Sequence, residues 1–327
     1  MGELKLDYSK KPRMIIQTFS EVIEIAKGIE MPKMLFSEFW HEGEACMLFA
    51  DTNLGKSALA MQIAISIASG TPIKGFKMEA KAQEIIYYDF ELSEKQLEGR
   101  FAEEDPITGK LKNHFKFHSN LKRCVFNYGS EVKSKGILAD IEDSLLQTNA
   151  KIIVIDNLTA LGEEMEQAKH ANILMKGLLR LKTKYKISIL IIAHTPKRDT
   201  TRPITKNDLA GSAVLGNLAD SIFAIGSSYQ SDLRFIKQIK QRYTEQMYGT
   251  DNVVVCRLAK PSNILSFYFQ EYGYEQEHLQ VKTLEDKQAI KEDIVKYKKD
   301  NPDKSIRAMA KEFACTNSFI QRALARG

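Results

Sequence analysis

Cys46-Met47-Leu48-Phe49-Ala50-Asp51-Thr52-Asn53-Leu54-Gly55-Lys56-Ser57-Ala58-Leu59-Ala60-Met61 decides how the rest of the chain is read. An apolar run gives way to a tight loop, then to residues of helical composition and period. From Ala50 to Ser57 the loop fits A/G-x-x-x-x-G-K-S/T, the pattern of a phosphate-binding loop. In such a loop successive backbone N–H groups curl around a phosphate, and the helix N-terminus adds its positive dipole end. Ala50, Asp51, Thr52, Asn53, Leu54, Gly55, Lys56, Ser57 and Ala58 are therefore the expected nucleotide-binding residues. Lys56 is expected to reach the β- and γ-phosphates and Ser57 to ligate Mg²⁺. Gly55 lets the backbone approach without a Cβ in the way. Ala50 stands at the first glycine position and restricts the local backbone. Alone, the loop says only that a nucleoside triphosphate is bound.

The 327 residues suffice for one large α/β domain and a small appendage. A hydrophobic fraction of 43% and a charged fraction of 27% place the chain among globular proteins rather than disordered or fibrous ones. No apolar run has the length of a membrane span, and Met1 to Asp7 has no apolar signal core. No membrane contact and a cytoplasmic location are the resulting expectations. Cys46, Cys124, Cys256 and Cys315 are scattered without a C-x-x-C pair, which predicts reduced thiols. The net charge of +5 is compatible with nucleic acid and does not prove it.

Strand and helix signals alternate along the chain. Phe19, Val22, Ile23 and Ala26 share one face of a short helix before Pro32. Apolar strand runs follow at 45–50, 84–91, 151–156 and 187–193, with a further possible strand within 115–128. Late strands are read at 221–225, 233–239, 252–258 and 265–269. Helices lie between them, among them 168–185 with apolar Ile173, Leu174, Leu178, Leu179 and Leu181. This order predicts an α/β fold with a mostly parallel, doubly wound sheet and flanking helices. Ligands in such sheets bind at the carboxyl ends of the strands. Residues 1–35 read as a lead-in, 36–280 as the main domain and 281–327 as a small all-α domain.

Several polar residues stand at those strand ends. Asp156 follows Ile152-Ile153-Val154-Ile155 and is expected to hold the Mg²⁺ shell, the alternative being a helix N-cap. Glu91 is the candidate general base and Asp89 its competitor. His194 ends another strand, where it either senses the γ-phosphate or serves structure. The loop beyond it carries Lys197, Arg198, Arg202 and Lys206, read either as phosphate-backbone contacts or as ordinary solvated charges. Ile236-Lys237-Gln238-Ile239-Lys240-Gln241-Arg242 reads as a strand with Lys240 and Arg242 on one face. In a ring these two would reach a neighbour's γ-phosphate; the alternative is a solvated edge strand.

In this order the motifs resemble the RecA-fold ATPases, and within them the hexameric replicative-helicase branch of DnaB-type and plasmid RepA-type proteins. Phe90-Glu91-Leu92-Ser93-Glu94-Lys95-Gln96-Leu97-Glu98-Gly99-Arg100 is similar to that branch's LEMSxxQLxxR segment. The resemblance assigns Glu91 as catalytic base and Arg100 to the nucleotide pocket. Lys240-Gln241-Arg242 matches the family's KQR finger. Asp208-Leu209-Ala210-Gly211-Ser212 resembles its DLxxS turn and makes 197–206 the DNA-touching loop. The resemblance spans about residues 36–270. It implies a RecA-like ATPase that uses ATP and Mg²⁺, acts on single-stranded DNA and forms a homo-oligomeric ring, expected to be a hexamer. Such a protein would serve replication of a plasmid, phage or mobile element. Two readings stay open beside it: a recombinase or strand-annealing ATPase, and a nucleotide-switched regulator of duplex DNA.

The tail from Ser305 to Leu324 has the spacing of a helix-turn-helix, with Ile306, Met309, Ala310 and Phe313 on one face. Its second helix would present Asn317, Gln321 and Arg322 to duplex DNA. A small bundle docking on a neighbouring subunit or partner is the alternative.

Overall fold

The computed structural model describes residues 14–127, 136–157, 168–195, 198–209, 213–279, 284–313 and 317–325. After helix α1 (Phe19–Ala26), strands β1 (Met34–Phe36) and β2 (Trp40–His41) pair as an antiparallel hairpin. Trp40 is fully buried and its Nε1 donates to Glu44 O at 3.4 Å, so it anchors the hairpin to the main sheet. The phosphate-loop segment follows as β3 (Ala45–Ala50) and α2 (Lys56–Ser69). Next come β4 (Ile85–Asp89), α3 (Glu94–Arg100), the short β5 (Glu103–Glu104) and β6 (Leu111–Lys112), β7 (Leu121–Cys124) and α4 (Ile137–Leu146). Strand β8 (Ile152–Asp156), α5 (Ala168–Tyr185), β9 (Ser188–His194) and α6 (Ala213–Leu218) complete the alternating part. Then run β10 (Ser221–Ser227), β11 (Leu233–Lys240), β12 (Val253–Ala259), β13 (Ser266–Gly273) and α7 (Glu275–His278). The chain closes with α8 (Leu284–Asp300), α9 (Ile306–Glu312) and α10 (Asn317–Leu324).

One nine-stranded sheet organises these elements in the order β13-β12-β11-β10-β3-β9-β8-β4-β7. From β10 to β7 every pairing is parallel, and β3 lies at the centre between β10 and β9. This is the expected RecA-like α/β arrangement. Strands covered by helices on both faces bury every side chain, which is why β3, β4 and β8 read as unbroken apolar runs. Cys46, Leu48 and Ala50 face α2, while Ala45, Met47 and Phe49 join α4 and α5 on the other side. Helix α2 buries Lys56, Leu59, Ala60, Ile63, Ala64, Ile67 and Ala68, the stripe of a helix laid along a sheet.

The sheet departs from the doubly wound expectation at its far edge. β10 to β13 form an antiparallel meander. No described helix separates these strands, and a parallel return needs a crossover of a dozen or more residues. Gly226 sits in this meander opposite Phe235, and a Cβ there would lie 2.1 Å from the Phe235 ring. Gly226→Ala is therefore expected to cost about 1–3 kcal/mol by overpacking. Urea unfolding checks it, and an unchanged midpoint would show that the ring can move aside.

Helices α8 to α10 enclose their own small core of Ile294, Met309, Ile320 and Ala323, with Tyr297 edge-on to Phe313. The expected turn at Ala314–Thr316 and the boundary near 281 lie outside the described residues. Cys46, Cys124 and Cys256 are free thiols, while Cys315 lies outside the described residues. No described helix is long and apolar enough to cross a membrane.

Candidate nucleotide site

The carboxyl ends of β3, β4, β8 and β9 open into a cavity of about 570 Å³. Thr52, Asn53, Gly55, Lys56, Ser57 and Ala58 form its floor. Gly55 caps α2 with a left-handed φ of 92°. A Cβ there would press on Phe267 and Leu258 at 3.0 and 3.1 Å, so β12 and β13 constrain this position as well as any ligand. Lys56 Nζ donates to Ala50 O at 2.9 Å and Asp51 O at 3.0 Å, which holds the loop in a tight curl. Burial lowers the Lys56 ammonium from its usual range, and Asp156, Asp51 and Glu91 oppose that.

Asp156 is the innermost acid. Tyr87 donates to its Oδ2 at 2.7 Å, and its Oδ1 is buried with no hydrogen-bond partner among the described residues. Burial raises the Asp156 carboxyl, Tyr87 and Ser57 beside it pull it down, and Glu91 and Asp89 raise it further. A buried oxygen without a donor next to a hydroxyl, in a nest of carboxylates, fits a divalent cation. Ser57 and Asp156 are the residues that would hold it.

The two candidate bases separate by their partners. Asp89 Oδ1 accepts from Glu91 N at 3.3 Å and Leu92 N at 3.2 Å, and its Oδ2 accepts from Arg123 Nε at 3.1 Å. Asp89 thus closes the turn after β4. Glu91 projects into the cavity, where Asn157 Nδ2 donates to its Oε1. The same amide lies 3.0 Å from His194 Nε2. An amide nitrogen only donates, so His194 Nε2 accepts and the ring is neutral with its proton on Nδ1. Burial and then Lys56 lower the His194 value, with Glu91 opposing, in keeping with a neutral ring. Asn157 therefore joins the ends of β4 and β9. Sequence reasoning passed it over, although it directly follows Asp156 at a strand's carboxyl end.

The basic loop after β9 is held close to the phosphate loop. Thr195 Oγ1 donates to Asp51 Oδ1 at 2.6 Å, and Arg198 Nε stands 3.6 Å from Asp51 Oδ2. Arg198 also reaches Asp208 at 3.9 Å, and its side chain is only 5% exposed. This corrects the expectation of Arg198 as an outward DNA contact: two carboxylates draw it inward. Arg202 is half-exposed and also pairs with Asp208. Lys206 Nζ donates to Asn217 Oδ1. Lys197 and the 210–212 part of the expected turn lie outside the described residues.

Strand β11 stops at Lys240, so Arg242 lies beyond it rather than on one strand face with Lys240. Both nonetheless converge on the last turn of α6. Lys240 Nζ donates to Gly216 O at 2.9 Å, Asn217 O at 3.1 Å and Ala219 O. Arg242 donates to Asn217 O at 2.8 Å and pairs with Asp220 at 3.4 Å. Cations at a helix C-terminus meet the negative end of its dipole. Burial, then Arg242 and Lys206, push the Lys240 ammonium down to about 8.

Arg100 lines the cavity mouth with an apolar wall of Met61, Leu97, Phe101, Leu258 and Leu265. Lys260 Nζ donates to Ala102 O at 3.1 Å and so ties the loop after β12 to the end of α3. No local signal could have found this wall, because its members come from segments far apart in the chain. In the tail, Gln321 is exposed on α10. Asn317 and Arg322 belong to that helix, and their side chains lie outside the described residues.

The family AAA_25, described as an AAA domain, matches residues 11–200. Among solved structures, a KaiC-like protein from the hyperthermophilic archaeon Pyrococcus horikoshii is similar at 14% identity and a TM-score of 0.47. The match covers 70% of this chain and 91% of that one. No curated protein matches the chain.

Proposed function

The chain belongs to the AAA_25 family and is a P-loop ATPase, and from that premise we propose that it is a cytoplasmic, Mg²⁺-dependent motor on single-stranded DNA. In this reading it works as a homo-oligomeric ring, a hexamer like those of the replicative helicases, for a plasmid, phage or mobile element. Lys56 and the backbone N–H groups from Thr52 to Ala58 hold the phosphates of ATP. Mg²⁺ held by Ser57 and Asp156 would neutralise charge that develops on the phosphates. Glu91 orients the attacking water and takes up its proton, and Asn157 fixes the Glu91 carboxyl against neutral His194. Lys240 and Arg242 offer positive charge at an adjoining subunit's site. The tail contributes Gln321, with Asn317 and Arg322, toward duplex DNA.

The observation that carries this reading is the bridge from phosphate loop to basic loop, Thr195–Asp51–Arg198–Asp208–Arg202. A change in the backbone around phosphates acts directly on Asp51, and through it on the loop. Arg202, Lys206 and Lys197 are the cations this loop carries to DNA. Hydrolysis by the wild type is expected to rise when a single-stranded oligonucleotide is added. Arg198→Met is expected to keep basal hydrolysis and lose that stimulation. A hydrolysis rate indifferent to single-stranded DNA sinks the motor reading, while pairing of complementary strands without displacement favours the annealing ATPase.

A further inference from the structure

Helix α1 is built as a helix and used by nothing in its own chain. Thr18 and Glu21 form a capping box at its start, yet it buries none of its residues. Phe19 is 92% exposed, Ile23 58% and Val22 43%, and Ile29 and Met31 beyond it are exposed too. Phe19, Val22, Ile23 and Ala26 fall at the i, i+3, i+4, i+7 positions of a helix that lays one stripe into a groove. Contiguous exposed apolar side chains of this kind mark an interaction surface. The polar side of the stripe is acidic, with Glu21, Glu24 and Glu30. That charge repels nucleic acid and anionic lipid and selects a basic partner surface.

Such a surface lies on α5. Lys176, Leu179, Arg180, Thr183 and Lys184 line a shallow groove of about 490 Å³. Ile173, expected in the core from its spacing, is instead 56% exposed one turn before Lys176. Lys184 pairs with Glu142 of α4, and Leu146, one turn on from Glu142, is 65% exposed. Apolar positions flanked by cations thus face solvent, complementary in both respects to α1. Among the described residues Lys176 and Arg180 pair with no acid.

We propose that α1 of one subunit docks in the α5 groove of the next, so that this contact strings the copies head to tail. It rests on the ring reading above. The patch is small against the roughly 1,200–2,000 Å² of a stable pairwise interface. It therefore acts with the other contacts of a closed ring rather than as an isolated dimer contact.

The test reverses charge on each side and then mixes the products. One full-length variant carries Glu24→Lys and Glu30→Lys; Glu21 is left intact because it caps α1. The other carries Lys176→Glu and Arg180→Glu. All four positions are exposed, so circular dichroism should match the wild type. In sedimentation velocity with an ATP analogue and Mg²⁺, the wild type is expected to form an oligomer and each variant alone to lose it. An equimolar mixture should regain the oligomer, because each reversed helix then meets a reversed groove only on a different chain. Docking of α1 onto its own chain would give no recovery on mixing, and that result overturns the proposal. A wild-type oligomer unaffected by either reversal also overturns it, while a wild-type monomer fails the ring reading itself and this contact with it.

Discussion

Glu91→Gln is expected to stop turnover while leaving ATP bound. The substitution keeps the shape of the side chain and removes its capacity to accept a proton from water. Loss of a positioned base costs about 10²- to 10⁴-fold in rate, read as kcat for phosphate release. Affinity for a fluorescent ATP analogue should change little, because the contacts that grip phosphate belong to Lys56 and the loop backbone. Asp89 cannot readily stand in, since both its oxygens are already engaged by Glu91 N, Leu92 N and Arg123 Nε. Asp89→Asn should instead loosen the turn after β4 and lower stability. Normal hydrolysis by Glu91→Gln together with a dead Asp89→Asn would exchange their roles.

The parts of the site that could be read from sequence share one local signature. β3, β4, β8 and β9 are apolar runs that end abruptly in a polar residue, and each such residue lies at or beside the cavity. A buried parallel strand has no alternation to lose, so its polar terminus stands out. Asn157 was missed because it follows Asp156 and reads as the first loop residue; only the approach of β4 and β9 gives its amide two acceptors. Arg198 was misplaced for the opposite reason. A cation in a polar loop reads as solvated, and nothing local tells that Asp51 and Asp208 close around it. The antiparallel edge was also invisible as such, because strand signals carry no direction. Phe19 to Ala26 was legible as a helix with one apolar face, and whether that face packs inward depends on partners the local sequence does not name.

Lys237→Met is expected to be among the most destabilising single changes in the chain. Lys237 passes unnoticed inside the strand Leu233–Lys240, yet its ammonium is 7% exposed and lies 2.5 Å from Glu275 Oε2, which is fully buried. The pair also closes around the backbone of Ile204: Ile204 N donates to Glu275 Oε1 at 2.6 Å, and Lys237 Nζ donates to Ile204 O at 3.0 Å. Removing the cation leaves a buried carboxylate facing no charge, which costs about 3–5 kcal/mol. Changing Glu275 to Met as well should recover only part of that loss. The double variant still orphans the N–H and C=O of Ile204, at about 1–3 kcal/mol for each buried group. A double-mutant cycle by chemical denaturation measures both terms. Ile204 sits in the basic loop between Arg202 and Asp208, so the same change should free that loop at one end while Asp51 still holds the other. Single-stranded DNA should then stimulate hydrolysis less in Lys237→Met even under conditions where the variant remains folded. A loss below about 1 kcal/mol, the range of an exposed pair, would mean that water reaches this pair and that the loop is anchored by Asp51 alone.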